Sequence, residues 1–193
     1  MTDQSHFLER IFEDDYTQDM HTQIISAFKK VNFYKGQYLL QQGQTENDYW
    51  FIEKGFIRSY VTDIKGNDVT MHFYSSQDIV IDWTSFFLRT PTQENIQALT
   101  DCTCWQLNYD RFQQLFHSIE RFREQGRSNL VKGYAAVKKQ RVSMITQSAT
   151  DRYLELIEDK PEILQTVPLR HIATYLGVTD TSLSRIRRKI TGE

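Results

Sequence analysis

The stretch from Pro168 to Ile190, PLRHIATYLGVTDTSLSRIRRKI, constrains the fold more tightly than any other part of this chain. Apolar residues stand at Ile172, Leu176, Val178, Leu183 and Ile186, with small Ala173 and Gly177 among them. That spacing predicts two short helices meeting at a tight turn. Ile172 and Leu176 lie one turn apart on the first helix, and Leu183 and Ile186 play the same part on the second. Ala173 leaves room where the helices cross, and Gly177 can take the left-handed conformation that ends the first. Val178 plugs the corner, Thr179 caps the free amides of the second helix, and Pro168 opens the first where a missing N–H costs little. Outward on the second helix remain Asp180, Thr181, Ser182, Ser184, Arg185, Arg187, Arg188 and Lys189. Short hydrogen-bonding side chains followed by a basic end suit a helix entering a DNA major groove. A solvated helical hairpin would share the apolar spacing, and a basic run alone would merely oppose the helix dipole. Agreement of the small, apolar and capping positions together favours DNA. Thr181, Ser182 and Arg185 are expected at base edges, while Thr179 mainly caps. Arg187, Arg188 and Lys189 are expected to meet phosphates or solvent.

A net charge of −2 means that bulk electrostatics do not draw the molecule to a polyanion. DNA affinity must come from a local patch, which the C-terminal cluster supplies. The 193 residues suffice for one large or two small domains, and 39% hydrophobic content fits a folded core. No run of about 18 apolar residues occurs, so no membrane contact is expected. The acidic start, MTDQSHFLERIFEDD, lacks the apolar centre of a signal peptide. Only Cys102 and Cys104 are present, which fits a reducing compartment. A cytoplasmic location is expected.

Residues 1–30 read as short helices, with Phe7, Leu8, Ile11 and Phe12, then Ile24, Ile25 and Phe28, at helical spacing. From about 31 to 108 the character changes to short β-rich runs: YLLQQ, YWFIEKG, FIRSYVTD, DVTMHFY, IQAL and CTCWQL. Gly36, Gly43, Gly55 and Gly66 punctuate them, and Lys65-Gly66-Asn67 suits a hairpin turn. These runs predict an antiparallel barrel or jelly roll, whose strand order they do not reveal. YDRFQQLF returns to helical spacing, and a long helix is predicted from about Ile119 to Ile145. Along it Leu130, Tyr134, Val137, Arg141 and Met144 follow alternating steps of four and three, a narrow seam suited to a twin helix from a second copy. Gly126 and Gly133 weaken that helix by about 1 kcal/mol each relative to Ala, so a bend or a close approach is expected there. Ser148 or Thr150 should cap the next helix, with Tyr153, Leu154 and Ile157 as its core face and Asp159-Lys160-Pro161 as its end. The fold class is therefore α+β. It comprises an antiparallel barrel or jelly-roll domain over 1–117, a long helix suited to dimerisation over 118–146 and an all-α helix-turn-helix domain over 147–193, with no β-hairpin wing expected after Ile190.

This order of parts resembles the Crp/Fnr family of bacterial transcription regulators, in the short form found in Bacteroidetes. Lys35-Gly36 through Leu39 to Gly43, then Tyr49-Trp50-Phe51-Ile52 and Gly55, resemble the glycine-spaced strands of its cyclic-nucleotide-binding-like domain. Arg185 matches the family's DNA-contacting arginine. The resemblance implies a ligand cassette within DIVIDWTSFFLRTPTQENIQAL, where cyclic-nucleotide binders carry a Gly-Glu pair and then an Arg-Ser or Arg-Thr pair. Here Ile81-Asp82 and Thr92-Gln93 occupy those places, so no cation stands where a cyclic phosphate needs one. Arg89 and Trp83 lie between them, Arg89 on the wrong part of the loop, and Val137-Lys138 replace the hydroxyls that cyclic-AMP receptors use on the long helix. Cyclic AMP is not expected as the ligand. The site is either empty or holds an unidentified small-molecule effector.

No nucleophile elbow, phosphate-cradling glycine loop or paired-carboxylate motif appears, so no catalytic residues are assigned. Cys102 and Cys104 share a strand face but read as two small apolar residues rather than metal ligands. The five histidines, His6, His21, His72, His117 and His171, are scattered and read as surface or packing residues. His171 could also touch a phosphate from the first helix of the pair. No metal or cofactor is expected. The expected partners are double-stranded DNA, a second copy of the chain and RNA polymerase. Two other classes would fit less: a ligand-sensing module signalling through a protein partner, and a cupin-like enzyme, which would need a His/carboxylate metal cluster.

Overall fold

Helices α1 (His6–Ile11) and α2 (Gln18–Ala27) come first in the computed structural model, which describes residues 6–12 and 16–191. The stretches 1–5 and 13–15, on which part of the acidic N-terminal reading rests, lie outside the described residues. Thr17 caps α2 by accepting the Met20 N–H, and the chain leaves the helix in extended conformation at Phe28. The helical reading to residue 30 runs too far. Strand β1 (Lys29–Phe33) begins directly, because Val31 and Phe33 alternate with polar neighbours and the whole stretch pairs antiparallel with 102–106.

The other strands are β2 (Tyr38–Leu40), β3 (Asp48–Lys54), β4 (Ile57–Thr62), β5 (Asp68–Tyr74), β6 (Ile79–Val80), β7 (Asn95–Ala98) and β8 (Cys102–Asn108). They form two four-stranded antiparallel sheets, ordered β1-β8-β3-β6 and β2-β7-β4-β5, in a jelly-roll arrangement. β3 explains its own unbroken apolar run, because it is covered on both faces. Tyr49 and Phe51 join an aromatic core with Phe12, Phe28, Phe112 and Phe122. Trp50 and Ile52 point the other way, into an interior shared with Ile57, Ile96, Cys102 and Cys104. Gly55 turns the chain between β3 and β4 at φ +107°, where a Cβ would stand 2.6 Å from the Cys102 sulfur. At the β4–β5 turn the Asp63 carboxylate accepts from the backbone N–H of Lys65 and Asn67, matching the hairpin turn read there.

One helix interrupts the barrel: α3 (Trp83–Leu88), inside the cassette stretch that sequence periodicity did not resolve. After the barrel come α4 (Tyr109–Ser118), α5 (Glu120–Thr146), α6 (Ala149–Asp159), α7 (Ile163–Thr166), α8 (Leu169–Tyr175) and α9 (Asp180–Thr191). Neither glycine of α5 is demanded by close approach: a Cβ at Gly126 would lie 3.5 Å from the Phe116 ring, and one at Gly133 3.5 Å from the Trp83 indole, both ordinary contact distances. Ser148, rather than Thr150, caps α6, in a reciprocal box with Asp151. The core face of α6 is Tyr153 with Leu156 and the partly buried Ile157. Leu154 is 41% exposed, contrary to expectation, since one residue beyond Tyr153 lies about 100° around the helix. Helices α6 to α9 enclose a core of Tyr153, Leu156, Ile163, Ile172, Leu176 and Leu183, which continues into Phe56, Phe73 and Leu99 of the barrel.

Candidate nucleic-acid interface and ligand cassette

Helix α8 ends as its sequence predicts. Gly177 has φ +68°, and the Val178 N–H reaches back to the Ala173 carbonyl at 3.0 Å, closing the last turn. Ile172, Ala173, Leu176 and Leu183 are essentially sealed between the two helices. Thr179 caps α9: its hydroxyl accepts the Ser182 N–H at 3.2 Å and lies 3.0 Å from the Ser182 hydroxyl. Ser184 donates to the Asp180 carbonyl at 2.9 Å. Thus the hydroxyls of Thr179, Ser182 and Ser184 are engaged along the helix itself. Asp180, Thr181, Ser184, Arg185, Arg188 and Lys189 are exposed, while Ser182 and Arg187 are half-buried. The structure gathers these residues on one short rod, with Arg185 outward and Leu183 inward.

His171 sits elsewhere. The phosphate contact considered for it does not fit, because the residue is 7% exposed and faces the barrel. Its Nδ1 lies 2.7 Å from a guanidinium nitrogen of Arg58. An arginine can only donate, so Nδ1 accepts and the ring is neutral. Burial, with Arg58 and Arg170 nearby, pushes its pKa down to about 4.

In the cassette, the six residues singled out from sequence do not converge. Asp82 and Thr92 meet, with the Thr92 hydroxyl donating to the Asp82 carboxylate at 2.6 Å. Asp82 also caps α3, accepting from the N–H groups of Thr84 and Ser85. Ile81 and Trp83 instead face the aromatic core and α5. Gln93 is exposed. Arg89 takes a left-handed conformation, φ +56°. Its guanidinium donates to the Glu46 carbonyl and to Asn47, and stacks 4.0 Å over Tyr109.

Sequence inspection missed Glu46 and Glu94, which no local pattern marks. Glu46 is 1% exposed and accepts the Asp82 N–H at 3.2 Å. Desolvation pushes its pKa up to about 8, with the Asp82 and Asp48 charges adding to the rise. Glu94, also raised by burial, is hydrogen-bonded by Ser59 and feels the charge of Asp82. The neighbourhood of Asp82 therefore gathers carboxyl groups, and burial keeps that of Glu46 protonated near neutrality. An open cleft of about 430 Å³ adjoins it, lined by Leu40, Gln44, Glu46, Asp48 and Trp50 among others.

Cys102 and Cys104 are buried free thiols, and burial pushes Cys104 up to about 12, where little thiolate exists to react. Among the described residues no group of three or more His, Cys, Asp and Glu side chains is placed to hold a metal ion. No described helix is long and apolar enough to cross a membrane. On α5, Leu130, Tyr134, Val137 and Met144 stand exposed in one chain, Val137 at 65%, with Ile145 beside them at 80%.

Jelly-roll barrel, long helix and terminal helix pair follow one another in an arrangement that solved structures of other proteins share. Residues 30–118 match the family model of the cyclic nucleotide-binding domain. The chain is similar in fold to FixK2 from Bradyrhizobium japonicum, with TM-score 0.74 and 11% identity over 86% of this chain and 85% of that one. It is also similar to a regulator assigned to the crp/fnr family from Eubacterium rectale, with TM-score 0.73 and 13% identity over 93% and 86%. A CooA mutant from Carboxydothermus hydrogenoformans gives TM-score 0.68 and 18% identity over 100% and 86%. No curated protein matches the chain in sequence.

Proposed function

We propose that the protein is a DNA-binding transcription regulator of the Crp/Fnr type, working in the cytoplasm as a homodimer on a near-palindromic site. The observation that carries this reading is α9 itself. Its apolar side is sealed against α8, and Arg185, Thr181, Arg188 and Lys189 are left exposed on the rest. The exposed apolar stripe of α5 supports pairing with a second copy, which would set two recognition helices about 34 Å apart in successive major grooves. Thr181, Ser182 and Arg185 read base edges; Arg187, Arg188 and Lys189 meet phosphates. RNA polymerase is the onward partner of a protein so placed.

The barrel is a sensor that does not take cyclic AMP. The only arginine of the cassette is spent on Glu46, Asn47 and Tyr109, which leaves neither terminal nitrogen free for a phosphate in the barrel. The cassette is either empty or holds a different, unidentified small-molecule effector.

Selection of duplexes from a randomised pool tests the DNA reading. The wild-type protein enriches a motif with two related half-sites, whereas Val137→Glu sediments as a monomer and enriches none. A wild-type protein that sediments as a monomer and enriches nothing sinks the proposal. A thermal shift on adding cyclic AMP at millimolar concentration would overturn the ligand assignment.

A further inference from the structure

Arg58 is a buried cation in the interface between the barrel and the terminal helices. It is 3% exposed, and although its Nε has no partner, both terminal nitrogens find the acceptors a buried guanidinium needs. Two acceptors come from the barrel: Asp68 and Gln97, each 3.3 Å from one terminal nitrogen. The Tyr60 ring lies 4.0 Å beneath the cation. The third acceptor comes from α8, Nδ1 of His171, 2.7 Å from the other terminal nitrogen. Close by, the Thr174 hydroxyl accepts the Thr70 N–H at 3.2 Å, and Phe73 packs on Tyr175 with ring centroids 5.2 Å apart. The Thr70–Thr174 hydrogen bonds restrain α8 against β5 at one point, and a second directional contact is needed to fix its rotation. A planar fork anchored on Asp68 and Gln97 admits one orientation of the acceptor it meets. Because α8 and α9 share Ile172, Leu176 and Leu183, whatever orients α8 also orients α9.

We propose that Arg58 is a positioning residue for DNA reading: through His171 it fixes the angle at which each subunit presents α9, and so the separation of the two recognition helices. The proposal rests on the DNA-binding function given above. It also assigns His171 a purpose that neither packing nor phosphate contact supplies.

Two substitutions at His171 separate orientation from simple filling. His171→Phe keeps a ring and removes the acceptor, and His171→Gln keeps an acceptor. The probe is the duplex that the wild-type protein enriches from a randomised pool, beside an unrelated duplex of equal length. His171→Phe weakens binding to the enriched duplex about tenfold, leaves the unrelated duplex unchanged and speeds amide exchange in α8 and β5. His171→Gln restores affinity to within roughly threefold. Arg58→Lys, which keeps the charge beside Asp68 but loses the fork, behaves as His171→Phe and serves as the second variant. Equal or tighter binding of the enriched duplex by His171→Phe overturns the proposal. If the wild-type protein enriches nothing, the DNA function fails on its own account. Amide exchange then still decides whether Arg58 holds α8, and unchanged exchange in both variants overturns that hold.

Discussion

Arg185 and Arg58 carry the same side chain into opposite surroundings. Arg185 stands exposed on α9, two residues from the sealed Leu183, where its five donors are free to seek an acceptor pair in a groove. Arg185→Ala is expected to cost about 1–3 kcal/mol of specific binding if it reads a guanine, and to relax preference at that base pair alone. Titration of the enriched duplex and its single-base variants measures this; unchanged discrimination would remove Arg185 from the base-reading set. The position of Arg185 was legible because helical spacing puts it outward whenever Leu183 and Ile186 point in. Arg58 was not legible. It sits in FIRSYVTD among strand residues, and only the approach of α8, more than a hundred residues later, supplies its third acceptor. Glu46 stayed hidden for the same reason, its neighbours Ser85 and Asp82 lying nearly forty residues away.

Single elements divide by how local their causes are. The α8–turn–α9 unit could be read nearly residue by residue, because caps, the left-handed corner and the apolar stripe all act within a few residues. Gly177→Ala tests that reading. At φ +68° the new Cβ strains the backbone and meets the Met144 methyl at 3.1 Å, so a loss of about 1 kcal/mol or more is expected in denaturant unfolding. An unchanged midpoint would show the corner to be less constrained. β1 and α3 escaped prediction because their causes are not local. β1 exists by pairing with β8, far along the chain. α3 is a single short stretch fixed by the Asp82 cap and by Trp83 lying against Gly133. Leu154 and Leu156 differ only in which side of α6 meets the rest of the terminal unit, and apolarity alone did not tell them apart.

At the scale of the whole molecule, buried titratable groups set how stability follows pH. His72 and His171 are both pushed from 6.5 to about 4, chiefly by burial. Between those values the unfolded chain binds more protons than the folded one, so stability is lost as pH falls from about 6.5 towards 4. Glu46 acts in reverse. Raised from 4.5 to about 8, it stays protonated in the fold while the unfolded chain has let the proton go, so stability falls as pH rises through that window. Above 6.5 Glu46 acts without the histidines, and below it the two histidines oppose Glu46, which Glu94 and Asp48, also raised by burial, reinforce. The melting temperature should therefore pass through a maximum on the acid side of neutrality, and Glu46→Gln should flatten the decline on the alkaline side. A melting series from pH 4.5 to 8.5 on both proteins decides it; an alkaline decline unaltered in Glu46→Gln would place its cause elsewhere.

What the sequence determined by itself was everything governed by short-range periodicity: helix against strand along most of the chain, the jelly-roll class, the long helix with its exposed seam, and the outward face of α9. Strand order, the carboxylates gathered around Asp82, the diversion of Arg89 and the docking of α8 on Arg58 were decided by the tertiary structure alone. Each depends on groups brought together across tens to more than a hundred residues, and the energy of a buried charge or a β-pair belongs to the partner as much as to the residue itself.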